Sequence, residues 1–154
     1  MKKSISSAIF CLLVSSNMVF ASSCDSYGDC ESYSDLRVEL RNYGADNCHL
    51  VQSTLFNGSL YLSSFPSILA ATGERYFFTL TGGKTDALLT YQCGEYKKFT
   101  VRMGQYTKPK HVHTTIDAKM LKAVGVFETH QKKETRSRGC THGNPGTLSW
   151  QFSH

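Results

Sequence analysis

The chain has 154 residues, 40% hydrophobic and 19% charged, with six cysteines, 12 glycines and three prolines. That length suits one domain with a real core, and the composition excludes a collagenous, Pro-rich or wholly disordered chain. Seventeen basic and 12 acidic side chains leave a net charge of +5.

Met1-Lys2-Lys3, the apolar run Ala8–Val14 and the ending Val19-Phe20-Ala21 match a secretory signal peptide of bacterial style, with cleavage expected after Ala21. Cys24 follows closely, but Ala21 stands where a lipoprotein signal carries a Leu-like residue, which disfavours lipidation. The apolar run is too short to span a bilayer. The expected product is secreted or periplasmic, in an oxidising compartment. It has 133 residues, a net charge of +3 and five cysteines, so one thiol is left over from internal pairing.

Residues 22–34 read as a polar arm and 35–154 as one domain. Asp35–Asn42 alternates apolar and polar residues, the period of a half-buried strand. Cys48–Gln52 continues in that style. Asn57-Gly58, between Thr54-Leu55-Phe56 and Leu60-Tyr61-Leu62, signals a hairpin. Phe65–Ile68 reads as a turn and crossing. Tyr76–Leu80 reads as a strand ended by Gly82-Gly83, and Ala87–Cys93 as another before a turn at Gly94-Glu95. Tyr96–Met103 alternates again, His111–Ile116 is a short strand, and Thr147–Phe152 is the last. At 117–124, Ala118, Met120, Leu121, Ala123 and Val124 suit a short helix capped by Asp117, while Gly125-Val126-Phe127 argues for a strand. Residues 128–146 read as a basic loop. Short strands with Gly-centred turns predict an all-β fold, an antiparallel β-sandwich.

Cys48 and Cys93 sit in strand-like sequence with apolar neighbours, so a bridge between them is expected to tie two sheets through the core. Cys24–Cys30 would be a local staple. Cys140 is the odd one out, free to link a dimer, and pairing of Cys24 or Cys30 with Cys140 is the alternative.

Charge is segregated along the chain. Residues 22–96 carry −5 and residues 97–154 carry +8, with five of the six histidines in the basic half. One cluster is Lys108, Lys110, His111 and His113. The other surrounds Lys132, Lys133, Arg136 and Arg138, flanked by His130 and His142. Such patches attract phosphate, sulfate or carboxylate polymers, so an anionic glycan or lipid headgroup is the expected partner. Histidines in the patch would strengthen binding below roughly pH 6.5. The competing reading is a solvated basic loop. Nucleic acid is the least favoured polymer, because no recognition motif appears and aromatics are not interleaved with the basic runs.

His111 and His113 share one face of a strand and could take a metal with His130, His142 or Cys140, but Lys108 and Lys110 oppose a cation. No cofactor is expected. A small hydrolase using His111, His113 and His130 with Lys110 is the enzymatic alternative. Cys140-Thr141-His142 has the residues of a thiol and base but adjacent positions rarely give that geometry. There is no nucleophile elbow, phosphate loop or zinc-protease helix motif. Asp25, Asp29 and Glu31 do not match a complete calcium loop. Tyr76-Phe77-Phe78, Tyr91 and Trp150 read as core, with exposed sugar stacking as the alternative.

The stretch from Leu36 to Cys93, with Asn42, Cys48-His49-Leu50, Gly58, Pro66-Ser67-Ile68 and Tyr91-Gln92-Cys93, together with the closing Leu148–Phe152, resembles small cysteine-containing β-proteins that Legionella-like bacteria release by type II secretion. The resemblance covers about half of the mature chain and implies a virulence-type factor acting on a host; it carries no catalytic residues over. The chain is less similar to aegerolysin-like membrane-binding sandwiches, whose glycine pattern it does not match.

Overall fold

The computed structural model describes residues 35–108, 113–125, 127–135 and 146–154. They form eight strands: β1 (Asp35–Asn42), β2 (Cys48–Leu60), β3 (Ile68–Leu69), β4 (Tyr76–Cys93), β5 (Lys97–Lys108), β6 (His113–Val124), β7 (Glu128–Thr135) and β8 (Gly146–Ser153).

The long strand β4 organises the fold. Its first part, Tyr76–Thr81, pairs with β1, and its last part, Lys84–Cys93, pairs with β5. Strand β2 runs along its other side. The sheet continues from β1 to β8 and β7, and from β5 to β6. The two branches, which leave successive parts of one strand, fold over each other into two layers. Phe99 of β5 stacks on Phe152 of β8 at 4.5 Å between ring centroids, although β5 and β8 share no ladder. Face-to-face packing of this kind is a sandwich core.

Alternation explains the core. Leu36, Val38 and Leu40 of β1, Leu148, Trp150 and Phe152 of β8, and Phe99, Val101 and Met103 of β5 are all buried. Tyr91 and Phe78 join them, as expected, but Phe77 points outward under the Arg37 guanidinium, 4.7 Å from its ring centroid. Burial pushes the Tyr91 hydroxyl pKa up, and the hydroxyl donates to the Pro66 carbonyl at 2.9 Å.

Four expectations of strand layout are corrected, and one open choice is decided. Asn57-Gly58 lies inside β2 rather than at a hairpin tip. Gly58 has φ +83°, and the ladder slips on both sides of Asn57, so the sequence signal marks a bulge. Gly82-Gly83 does not end a strand; it lies between the part of β4 that serves β1 and the part that serves β5. Of the two readings left open for 117–124, the strand is the one formed. A bulge opposite Thr100 and Val101 shifts the alternation by one residue after Met120, which imitates helical spacing in the sequence. Glu128–Thr135 is an edge strand, not part of a loop, because its polar side chains remain exposed while its backbone pairs with β8. Finally, one pair is parallel, β1 with β8. The two strands lie far apart in sequence, and the intervening sheet supplies the long connection that parallel pairing needs.

The Cys48–Cys93 disulfide is present. It joins directly opposed residues of neighbouring strands β2 and β4, and so clamps one ladder rather than bridging two layers. Asn42, fully buried, organises the chain beside it. Its amide donates to the carbonyls of Asp46 (2.8 Å) and Leu69 (3.0 Å), and its carbonyl accepts from Gly44 N–H (2.9 Å).

Candidate functional site

Strand β5 puts Phe99, Val101 and Met103 inward, so Lys98, Thr100, Arg102, Gly104 and Tyr106 face out. Register carries that outer face across the neighbouring strands. Lys84, Tyr106 and Thr115 form one row; Asp86, Gly104 and Asp117 the next; Leu88, Arg102 and Lys119 the third. Gly104 therefore stands at the centre of a three-by-three grid. A hollow of about 390 Å³ lies over it, lined by Lys84, Asp86, Arg102, Tyr106, Asp117 and Lys119 among others. The glycine is required by the fold: a Cβ there would lie 2.2 Å from the Thr85 carbonyl oxygen.

The charges around the hollow are unequal. Arg102 donates from Nε to Asp86 Oδ1 at 2.8 Å and from Nη2 to Oδ2 at 2.6 Å. Those hydrogen bonds are the main reason that Asp86 titrates below the usual carboxylate range. The same guanidinium lies 5.3 Å from the Phe56 ring centroid. On the outward face of β4 from Lys84 onward, β5 and β6, exposed Lys84, Lys98, Arg102, Lys119 and Lys122 outnumber the carboxylates of Asp86 and Asp117. Asp117 has neither a hydrogen-bonding nor an ion-pairing side chain among the described residues. Exposed Phe56, Tyr106 and Leu121 share the surroundings.

A second polar cluster sits at the far end of the sandwich. Lys97 Nζ lies 3.3 Å from both Asp46 Oδ2 and His154 Nδ1. His154 Nε2 lies 3.6 Å from Cys48 Sγ, and its ring packs edge-on against Phe127. Burial first, then Lys97, lowers the His154 pKa. The sulfurs of Cys48 and Cys93 are bonded to each other, so this grouping holds a packed disulfide rather than two thiolates.

Of the residues singled out from sequence, Lys108 and His113 oppose each other as the last register pair of the β5–β6 ladder. Lys132 and Lys133 lie on β7, both exposed, with Lys132 Nζ 2.6 Å from Glu134 Oε1. Lys110, His111, Arg136, Arg138, Cys24, Cys30, Cys140, His142 and the segment 1–21 expected to be a signal peptide lie outside the described residues. Gly146 packs against Gln105 and Ile116, and its partner on β7 is Thr135. The strand ends that lead into 109–112 and 136–145 therefore share one end of the sandwich. His130 stands five residues back from Thr135, and His113 three residues past Ile116 the other way, so they are on the order of 25 Å apart. His113 and His130 are thus not gathered at one point, and His111 lies outside the described residues.

Sequence reasoning missed Lys84, Arg102, Tyr106, Asp117 and Lys119. The alternation of β5 already placed Arg102 beside Lys98. Leaving 117–124 open between helix and strand hid the β6 partners, and ending a strand at Gly82-Gly83 hid Lys84.

No protein-family model and no curated protein matches the chain. Among solved structures, the fold is similar to that of the lipid binding protein Nakanori, with a TM-score of 0.55 and 9% identity, covering 79% of this chain and 72% of that one.

Proposed function

We propose that this is a binding protein for anionic surface ligands, phosphate or sulfate esters on a lipid headgroup or a glycan, acting through the outer face of β4, β5 and β6. The observation that carries the reading is the excess of exposed cations on that face, Lys84, Lys98, Arg102, Lys119 and Lys122, over two carboxylates, one of which Arg102 already neutralises. Phe56, Tyr106 and Leu121 beside them add apolar area of the kind that enters a lipid interface. The face leads to the Lys108–His113 end of the hairpin, where Lys110 and His111 extend the basic sequence, with Lys132, Lys133, Arg136 and Arg138 as a second contribution. The similarity of fold to a lipid binding protein supports the reading. Among the described residues no helix is long and apolar enough to cross a membrane, and the disulfide suits the oxidising compartment that the signal sequence implies.

Sedimentation with phosphoinositide-containing vesicles and retention on heparin, each across a salt series at pH 5.5 and 7.5, test the proposal. Replacing Lys98, Lys119 and Lys122 together by Gln removes about 3 kcal/mol of attraction to an anionic surface, or roughly a 100-fold loss of affinity. Binding that is unchanged in this variant, or absent from the wild type on both supports at low salt, overturns the assignment.

A further inference from the structure

We infer that the hollow over Gly104 is a subsite for a polyhydroxylated ring carrying a phosphate or sulfate ester. The inference rests on the anionic-ligand reading and names what that face recognises. A site for bare anions has no use for a carboxylate at its centre, since each negative charge cancels one cation. Asp86 and Asp117 nevertheless flank Gly104 in the central row. They are not equivalent. Both oxygens of Asp86 accept from Arg102, whereas Asp117 has no such partner among the described residues. An ionised carboxylate offers only acceptor sites. Asp117 therefore suits a ligand that brings hydroxyl donors.

The rest of the grid completes such a ligand's requirements. Lys84 and Lys119 stand at opposite corners, one row to either side of Asp117, and both are exposed to meet ester oxygens. Tyr106, in the row with Lys84, offers an exposed ring to the apolar face of a sugar or cyclitol. The hollow, about 390 Å³, lies within the usual range for small-ligand sites, ~300–1,000 Å³. It lies over strands held in register by the sheet.

The test uses the full chain and separates the ring from the charge. Calorimetric titration would compare inositol 1-phosphate, N-acetylglucosamine 6-sulfate, inorganic phosphate and inorganic sulfate. At least one ring ester is expected to bind tenfold or more tightly than the ring-free anion of its own chemistry, phosphate or sulfate. Which ester wins distinguishes a lipid headgroup from a glycan source. Asp117→Asn should bring that ratio close to one while leaving inorganic phosphate binding equal or tighter, because a negative charge has gone. Lys119→Gln should weaken every probe. Both positions are exposed, and unchanged thermal unfolding of the variants confirms that they fold. Equal binding of ring and ring-free probes by the wild type, with salt-sensitive vesicle or heparin binding intact, sinks the subsite and leaves the anionic face standing. A preference that survives Asp117→Asn also sinks it. No binding to any probe, vesicle or heparin removes both.

Discussion

Removing the Cys48–Cys93 bridge should cost this protein about 4 kcal/mol. The two cysteines are 45 residues apart, and closing a loop of that length in the unfolded chain lowers its entropy by about 13 cal/mol/K, or about 4 kcal/mol at 25 °C, in the chain-entropy treatment. The folded state gives little of this back, since Cys48 and Cys93 already oppose each other in the β2–β4 ladder and remain neighbours without the bond. Both side chains are fully buried, so alanine is a better probe than serine, whose hydroxyl would need a partner. Urea denaturation of Cys48→Ala/Cys93→Ala against the oxidised wild type reads the effect. With a slope of about 2 kcal/mol/M, the midpoint should fall by about 2 M, and the slope should rise because the open chain exposes more surface. A loss under about 1 kcal/mol with an unchanged slope would refute the reasoning and show that the unfolded chain is already compact around these residues.

Asn42→Ala deletes three hydrogen bonds, two of them buried, and leaves Gly44 N–H and the Asp46 and Leu69 carbonyls without this partner. A loss of about 3 kcal/mol is expected in urea or thermal unfolding, and a loss below about 1 kcal/mol would show that water replaces the side chain. His154 favours its neutral form in the fold, for reasons of burial and then of Lys97. The unfolded chain, with an ordinary value of about 6.5, therefore takes up the proton first as pH falls. Stability that is fully present above about pH 6.5 is lost as pH drops toward the lower folded value. His154→Gln should flatten that segment of the stability–pH curve, and an unchanged slope would exclude His154 as its source.

Alternation is a local property with a period of two residues, and it was legible wherever no bulge interrupted it. Asp35–Asn42 has its observed bounds in the sequence itself, the inward set Phe99, Val101 and Met103 follows from parity, and Cys48 and Cys93 stand out by their apolar neighbours. The imbalance of charge between the two halves of the chain was equally plain. Bulges broke that legibility. At Gly58 one imitates a hairpin turn, and after Met120 another shifts the phase so that a strand can equally be read as a short helix.

The sequence by itself thus determined the class of fold, most of the core and the sign of the charge in its second half. The tertiary structure alone decided that β4 is one strand serving two layers, that β1 and β8 pair in parallel, and that Lys84, Arg102, Asp117 and Lys119 surround one glycine. The physical reason is that a side chain's facing depends on its own strand, whereas its neighbours depend on the register between strands distant in sequence. A candidate site built from three strands exists only once that register is set.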